Sequence, residues 1–352
     1  MQLVSVYESS QVGEGRRRAA QMCRDQGFTP ENLARVELIV TEGANNLLKH
    51  AGGGEIILSF EEYYAGVGLR ILFLDNGPGM SKISQSMRDG YSRIGSSGTG
   101  LGAMQRLSSH FDIYSFPGQG TVILSVVSSK PWINSTMHLQ RSAFNVEGIC
   151  LPLEEENVGG DDWTVDHFQD RTLLLVVDGL GHGVFASDAA KEAVRCFKNA
   201  CGKNLEQGPV GILRRLHESL KGFRGVAGAV AEIVPHRKTV RYAGAGNISG
   251  KIVSGKEKED AEESEEIQNM VSANGTLGLE VPRFMEFTYV LPESGLLIMH
   301  SDGISSRWRL GDYPGLRTRH PALIAGVLYR DSARLHDDAV VVVSGWEGKT
   351  TS

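Results

Sequence analysis

The sequence predicts an α+β fold arranged as two consecutive domains. Its 352 residues are 41% hydrophobic and 22% charged, a composition typical of globular proteins and a length of about two ordinary domains. Apolar residues at helical spacing predominate near the N-terminus, whereas β-branched strand patterns predominate further along the chain. A polar stretch that contains proline, KPWINSTMHLQR at 130–141, separates the two halves.

In the first half, helices precede strands. Residues 15–27 and 30–50 carry apolar residues at helical spacing, and Pro30 suits the first turn of a helix. The segments EIILSFEEYY, GLRILFLDN and TVILSVVSS alternate or run apolar with β-branched residues. LGAMQRLSSHF is a further helical pattern. We predict helices beside an antiparallel sheet in a domain over 1–130, followed by a linker over 131–141.

The second half, predicted as a domain over 142–346, is dominated by strands. The segments TLLLVVDG, AGAVAEIV, TVRYAGAGN, GLLIMHSDG and DDAVVVVSG are predicted strands, and SDAAKEAVRCFKNA is a predicted helix. This is an α/β arrangement. The acidic run KEKEDAEESEE at 256–266 is predicted to be a solvated loop, with partner docking as the alternative.

Charge and cysteine content exclude several classes of protein. A net charge of -6 and a pI near 6.0 provide no basic surface for nucleic acid or anionic lipid. The four cysteines have neither CxxC pairing nor zinc-ligand spacing, so we expect reduced thiols. The N-terminus lacks the order of a signal peptide, and no apolar run approaches the roughly 18 residues of a membrane helix. These observations predict a cytoplasmic protein that binds neither nucleic acid nor membrane.

The predicted second helix carries a pair of polar side chains suited to a nucleotide site. Glu42 and Asn46 are four residues apart and therefore share one face of the helix. The Asn46 carboxamide can ligate a magnesium ion held by phosphates, because that ion prefers oxygen ligands. Glu42 remains as the candidate base. A solvated or capping pair is the alternative.

Two glycine-rich motifs follow in order. In DNGPGM at 75–80, Asp75 ends an apolar strand and can accept a hydrogen bond from an exocyclic amine such as that of adenine. In SSGTGLG at 96–102, the glycines free backbone N–H groups for an anion at the start of a helix. Each motif alone is more often only a turn. GQGT at 118–121 completes the set.

In this order the motifs resemble the GHKL ATPase family over residues 1–128, and within it the small switch kinases and anti-sigma factors. The resemblance implies a Bergerat α/β sandwich that binds ATP and Mg²⁺, with Asn46 as the Mg²⁺ ligand and Asp75 as the adenine contact. The implied nucleotide-binding residues are Asn46, Asp75, Gly77, Gly79, Gly98, Thr99, Gly100, Gly102 and Thr121. No phosphoacceptor-histidine helix precedes the first motif. The resemblance therefore implies direct transfer to a protein hydroxyl, with Glu42 as base, or binding without transfer.

Aspartates recur at the ends of strands in the second half. They stand in GGDD, DGLGHG, SDG and DDAV, between positions 159 and 340. A single DG dipeptide usually makes a turn. Four carboxylates that converge from distant parts of the chain would repel one another unless divalent cations lay among them. Two such ions can activate a water for attack on phosphorus.

The four motifs resemble the SpoIIE-like branch of the type 2C protein phosphatases over residues 142–346, which implies an α-β-β-α sandwich with two divalent ions, Mn²⁺ or Mg²⁺. The implied metal ligands are Asp161, Asp178, the Gly179 carbonyl, Asp302 and Asp337, with Asp178 as the bridge. His182 is a candidate proton donor to the leaving hydroxyl, or else a structural histidine. Asn247 is expected to fix a turn. Val340 stands where the family has threonine.

The two resemblances together predict a bifunctional regulator that phosphorylates, or captures, one partner and dephosphorylates a related one. The expected partner is an antagonist protein of the STAS fold or a sigma factor, and a homodimer is one arrangement open to the regulator. The first alternative is a phosphatase whose first domain is a non-catalytic, nucleotide-gated clamp. A degenerate scaffold is the second.

Overall fold

The computed structural model describes residues 1–63, 66–87, 100–130, 144–153, 156, 158–203, 208–256, 264–334 and 336–346. The chain forms two compact units. The first unit comprises Met1–Leu139 with Tyr313–Arg330, and the second comprises Gln140–Asp312 with Asp331–Ser352. Helices and strands are mixed throughout, which confirms the predicted α+β class. The predicted domain limits stay predictions, and a segment inside the predicted second domain is grouped with the first unit.

The first unit contains one antiparallel sheet with helices on one face. Its strands are β1 (Gln2–Val6), β2 (Gly54–Tyr63), β3 (Gly66–Asp75), β4 (His110–Ser115) and β5 (Thr121–Ser128). Its N-terminal helices are α1 (Ser9–Asp25), α2 (Pro30–Asn46), α3 (Ile83–Ser86) and α4 (Gly100–Leu107). The sheet order is β1-β2-β3-β5-β4. Apolar side chains of α1, α2 and α4 pack with alternate residues of the strands into one core.

The helices differ from the prediction at their ends. The first helix begins at Ser9, six residues before the predicted start at 15. Thr29 caps α2 by accepting a hydrogen bond from the Asn32 backbone N–H at 3.2 Å. Beyond Asn46 the helix continues as a π-helical turn. The helix predicted over 101–111 was wrong in its last residues, because α4 ends at Leu107.

The second unit contains two five-stranded sheets. The strands are β6 (Asn145–Leu151), β7 (Asp161–His167), β8 (Thr172–Gly179), β9 (Val226–Val234), β10 (Thr239–Ala245), β11 (Ser249–Lys256), β12 (Ser264–Asn269), β13 (Phe287–Val290), β14 (Gly295–His300) and β15 (Ala339–Trp346). Two helices, α5 (Val184–Lys203) and α6 (Gly208–Ser219), lie between β8 and β9 in the chain. The sheet orders are β13-β10-β9-β8-β7 and β12-β11-β14-β15-β6.

Strand β8 shows how the layers of this unit are built. Leu174 and Val176 belong to the core that joins the two sheets. Their neighbours Leu173, Leu175 and Val177 belong to a second core shared with α5 and α6. Successive side chains of a strand point to opposite faces, so a run of apolar residues fills both cores at once.

The acidic run is not a loop over its whole length. Lys256 is the last residue of β11, and Glu265 and Glu266 lie in β12, so the loop prediction over 256–266 was wrong at both ends. Glu265 accepts hydrogen bonds from the backbone N–H groups of Leu310 at 3.1 Å and Gly311 at 3.2 Å. Residues 257–263 lie outside the described residues.

The opposite face of the first sheet is covered by α7 (Pro321–Ser332), which is buried from Pro321 through Leu328. A Cβ atom on Gly326 would lie 3.1 Å from Cγ1 of Val122 in β5. The Arg330 guanidinium donates a hydrogen bond of 2.9 Å to the backbone carbonyl of Asp75. A helix that is apolar on all sides must be buried on all sides. In the described part of the chain, no helix combines the length and apolarity that a membrane crossing requires.

Candidate functional site

The first candidate site lies where α2 meets α4. A Cβ atom on Gly100, the first residue of α4, would lie 3.0 Å from Glu42 Oε2 and 3.7 Å from Asn46 Oδ1. The carboxylate and the carboxamide predicted to share a helix face therefore both reach the start of α4, within the SSGTGLG motif. Asn46 Nδ2 also lies 3.9 Å from the Met104 sulfur. Gly98 and Thr99 lie outside the described residues.

Packing explains a glycine between these two side chains. A Cβ atom on Gly43 would lie 2.1 Å from the Phe73 ring, a separation that atoms cannot adopt. Because Gly43 carries no side chain, α2 can lie close against β3, the strand that ends at Asp75. The glycine thus sets the height of the helix above the strand and, with it, the position of Glu42 and Asn46.

Asp75 ends β3 with its carboxylate held by the backbone. Asp75 Oδ1 accepts hydrogen bonds from Gly77 N at 2.9 Å and from Thr121 N at 3.1 Å. Burial raises the pKa of this carboxyl, and the two N–H donors together with the charges of Arg330 and His50 oppose that rise. Both bonds use Oδ1, so Oδ2 is the oxygen that can accept from a ligand amine.

The remaining predicted residues of the first site line the turns around Asp75. Gly79 adopts a φ of 66°, and a Cβ atom there would lie 2.0 Å from the Phe116 carbonyl oxygen, so only glycine fits. A Cβ atom on Gly77 would lie 2.7 Å from the Cβ atom of Ala51, which is also too close. The Thr121 hydroxyl is 2.9 Å from the Ser115 hydroxyl. Gly102 is buried inside α4.

The second candidate site gathers aspartates at strand ends. In the antiparallel register of β7 and β8, Asp161 lies directly opposite Asp178. Asp302 follows the end of β14, and Asp337 precedes the start of β15. Asp302 lies close enough to both Asp178 and Asp337 to raise the pKa of each carboxyl.

Asn247 connects two of these carboxylates. Its Nδ2 donates to Asp302 Oδ2 at 2.8 Å and approaches Asp178 Oδ2 at 3.3 Å. Asn247 lies in the bend between β10 and β11, and its side chain in addition faces the carboxylates. Sequence reasoning missed this contact, since the residues are separated by 69 and 55 positions.

The carboxylates of these aspartates repel one another, so their surroundings favour a bound positive charge. Burial, together with the charges of Asp302 and Asp337, raises the pKa of Asp178 to about 7. The pKa of Asp161 is raised well above its ordinary value by burial and by the charge of Asp178. These contacts are pairwise, and within the described ranges no group of three or more His, Cys, Asp or Glu forms a ready-made metal cluster. Carboxylates that destabilise one another's charge are the oxygen donors that hard divalent cations prefer, so the residues fit such ions.

Two buried aspartates are held by neutral donors. Asp161 Oδ2 accepts from the Ser301 hydroxyl at 2.6 Å. Asp338 accepts from the backbone N–H groups of Leu153 at 2.8 Å and Gly160 at 2.5 Å, with one oxygen used for each. Asp338 therefore shapes the loop that carries Asp161. Ser301 is a further contact that sequence reasoning missed.

The glycine turn after Asp178 carries the remaining predicted residues. Gly179 N donates to the Gly160 carbonyl at 2.9 Å, and a Cβ atom on Gly179 would lie 2.7 Å from the Ala186 carbonyl oxygen. His182 is 69% exposed, and its Nδ1 contacts Glu156 Oε1. A carboxylate at Nδ1 fixes the orientation of the imidazole ring. No sequence pattern pointed to Glu156, which lies 26 positions earlier.

Comparisons with known proteins match both parts of the chain. Residues 169–347, just over half of the chain, match the family model of Stage II sporulation protein E (SpoIIE), and residues 7–126 match that of the histidine kinase-like ATPase domain. The chain is similar to serine/threonine-protein kinase RsbT of Bacillus subtilis (strain 168), with 32% identity over 123 residues that cover 35% of this chain and 92% of that relative.

Solved structures with lower similarity include the phosphatase domain of SpoIIE with a fragment of its regulatory domain, from Bacillus subtilis. It has 15% identity and a TM-score of 0.46, and covers 97% of this chain and 94% of its own. RsbX in complex with magnesium has 17% identity and a TM-score of 0.48, and covers 57% and 94%. The family matches, together with the similarity to RsbT, confirm the predicted combination of domains. The chain belongs to the Stage II sporulation protein E family, with a histidine kinase-like ATPase domain ahead of its type 2C phosphatase domain.

Proposed function

We propose that this signalling protein dephosphorylates a serine or threonine of a STAS-domain antagonist protein and phosphorylates a related partner with its ATPase domain. The observation that carries the phosphatase half is the Asn247 amide, which lies between the carboxylates of Asp178 and Asp302. Strand ends far apart in the chain thereby meet at one point. The ATPase half rests on the approach of Glu42 and Asn46 to the start of α4.

The phosphatase centre would hold two divalent ions, Mn²⁺ or Mg²⁺, through the residues Asp161, Asp178, Gly179, Asp302 and Asp337. When bound, such a pair lowers the pKa of a water and polarises the phosphoryl group. His182 would donate a proton to the leaving serine or threonine oxygen, with Glu156 holding its ring in place. Ser301 and Asn247 would keep Asp161, Asp178 and Asp302 oriented.

The ATPase domain would bind adenine through Asp75 Oδ2 and Mg²⁺ through Asn46. Glu42 would then remove the proton from the attacking hydroxyl of the partner protein. The similarity to RsbT over nearly its whole length supports transfer rather than binding alone. If the domain binds nucleotide without transfer, it is the nucleotide-gated clamp.

The phosphatase activity is tested by Mn²⁺-dependent hydrolysis of p-nitrophenyl phosphate. Asp178→Asn is expected to lower kcat/KM by at least about 100-fold, because the loss of even an indirect metal contact typically costs 10–100-fold. Asp170→Asn is the matched control, since Asp170 is an exposed acid of the same unit whose partner is Arg171. Equal activity of the two variants would remove the proposed metal centre.

The kinase activity is tested with γ-³²P-ATP and a purified STAS-domain protein. Glu42→Gln is expected to abolish transfer of label while leaving ATP binding intact, because the substitution keeps the shape of the side chain and removes its basicity. Glu37→Gln is the control on the same helix, where Glu37 lies 3.8 Å from Arg24. Binding of ATP without any labelling by the unmodified protein would establish the clamp instead.

A further inference from the structure

An arginine lies against the turn that follows Asp178. Arg224 is exposed, and its guanidinium carbon lies 5.4 Å from the centre of the Phe185 ring. Its Nη1 lies 3.1 Å from the position that a Cβ atom on Gly181 would occupy. Gly181 is in the DGLGHG turn, two residues beyond Gly179. The guanidinium is thus held against the loop that leads out of the candidate metal site.

No carboxylate is paired with Arg224 among the described residues, although other arginines of this unit have such partners. A face-on contact with an aromatic ring orients a guanidinium without using its N–H donors on an acid. Its fork of N–H groups matches the oxygens of a phosphoryl group. A cation without a carboxylate partner, at the turn that follows Asp178, is suited to an anionic ligand.

Exposed apolar side chains lie on the segments that contact Arg224 or its neighbour Gly225. Leu180, Val184, Phe185 and Leu279 are 44%, 63%, 68% and 60% exposed. Leu180 N donates to the Gly225 carbonyl at 2.9 Å, and a Cβ atom on Gly225 would lie 3.0 Å from Leu279. Leu180 and Leu279 therefore both lie next to Gly225, the residue that follows Arg224. Single exposed apolar residues are ordinary, but a group of them beside a reaction centre indicates an interaction surface.

We propose that Arg224 binds a phosphoryl oxygen of the substrate and that Leu180, Val184, Phe185 and Leu279 contact apolar residues of the protein that carries it. The occupant is a phosphoprotein whose phosphoserine or phosphothreonine lies beside apolar side chains. The charge of Arg224 complements the phosphate dianion, and the apolar group continues directly from the turn of the candidate metal site. This inference rests on the proposed phosphatase function and names its substrate class.

The arginine is tested with the full-length protein in Mn²⁺. Arg224→Ala is expected to raise the KM for p-nitrophenyl phosphate and the inhibition constant of inorganic phosphate by about 10–100-fold, the range for the loss of charged hydrogen bonds. Arg224→Lys is expected to recover part of the loss. The matched control is Arg214→Ala, because Arg214 lies 4.8 Å from the Phe284 ring in the same unit and is likewise stacked on an aromatic ring.

The apolar residues are tested with two phosphoserine peptides, one with leucine and valine beside the phosphoserine and one with glycine and serine there. The unmodified protein is expected to have a severalfold higher kcat/KM for the first peptide, since each buried apolar side chain adds favourable contact area. Leu279→Gln and Val184→Gln are expected to remove this preference, so that both peptides are hydrolysed with similar kcat/KM.

The outcomes separate the inference from the function on which it rests. If the unmodified protein hydrolyses p-nitrophenyl phosphate but Arg224→Ala behaves like Arg214→Ala, the inference is overturned and the phosphatase stands. If no Mn²⁺-dependent hydrolysis occurs, the phosphatase fails. Calorimetric titration with inorganic phosphate then decides the inference, because binding that depends on Arg224 supports it and binding that does not depend on Arg224 overturns it. A lack of preference between the peptides removes the apolar contact.

Discussion

Asp75 and Asp178 both end a buried strand, yet their surroundings differ. Asp75 is the last residue of β3 and shares its Oδ1 between two backbone N–H donors. Asp178, near the end of β8, faces other carboxylates and the Asn247 amide. The backbone donors stabilise the charge of the first aspartate, whereas the carboxylates near the second destabilise its charge. The same sequence pattern thus leaves a carboxylate held by backbone N–H groups in one unit and mutually repelling carboxylates in the other.

A third acid, Glu232, differs from both aspartates because its buried carboxylate is paired with two arginines. It is 1% exposed and bonds Arg171 at 3.0 Å and Arg241 at 2.7 Å. Glu232→Ala is expected to destabilise the second unit by about 3–5 kcal/mol, since two guanidinium groups lose their buried partner. The free energy of unfolding in urea, followed by tryptophan fluorescence, measures this change.

The matched control for Glu232 is an exposed acid of the same unit. Glu293 is 87% exposed and lies 3.8 Å from Lys238. Glu293→Ala is expected to change the unfolding free energy by less than about 1 kcal/mol, as for other surface pairs. Similar losses from both substitutions would show that the arginine network around Glu232 contributes nothing beyond a surface ion pair.

The next largest effect tests whether the two strand-end aspartates act separately. Asp75→Asn is expected to weaken ADP binding by about 10–100-fold, because a charged acceptor for an amine is replaced by a neutral side chain. Mn²⁺-dependent hydrolysis should remain. Asp178→Asn is expected to show the reverse, with ADP binding retained. Isothermal titration calorimetry and p-nitrophenyl phosphate hydrolysis on both variants check this, and loss of both activities in either variant would contradict separate sites.

A single added methyl group is expected to disrupt the close packing of α2 on β3. Gly43→Ala places a methyl group against the Phe73 ring and is expected to destabilise the first unit by about 1–3 kcal/mol. Gly13→Ala on α1 is the control, because its nearest neighbour is the flexible end of Arg17 at 3.3 Å. Alanine favours helix there by up to about 1 kcal/mol. Thermal unfolding of the two variants should therefore shift in opposite directions.

The smallest expected effect concerns the repulsion around Asp178. In protein treated with EDTA, Asp178→Asn is expected to raise Tm by about 2–4 °C, corresponding to roughly 1 kcal/mol, because one of the clustered negative charges is removed. With Mn²⁺ present the order should reverse, since the unmodified protein gains stability from the bound ion and the variant does not. A Tm that falls in both conditions would mean that Asp178 is a stabilising structural residue.

Local patterns predicted most of the elements and failed where partners are distant. The apolar run of β8 and the spacing of Glu42 and Asn46 are properties of short segments, so the sequence predicted them. Strand β4 was missed because its start, His110, is preceded by polar residues that extend the helical pattern of α4. The contacts of Asn247 with Asp302 and of Glu156 with His182 join residues far apart in the chain, so no local sequence pattern predicts them. The register that sets Asp161 opposite Asp178 is likewise a property of the folded sheet.

Helix α7 has a practical consequence for dividing the protein. It lies between Asp302 and Asp337 in the chain, yet its buried side chains pack on the sheet of the first unit, where they cover residues such as Val122. A fragment ending near residue 141 would expose that apolar face of the sheet to solvent. A fragment starting there would contain the apolar helix α7 without the sheet on which it packs. We expect both pieces to precipitate or associate when expressed separately and to regain solubility when co-expressed, which gel filtration can follow. If a protease instead cut the folded chain once near residue 141, the two fragments should stay associated through α7.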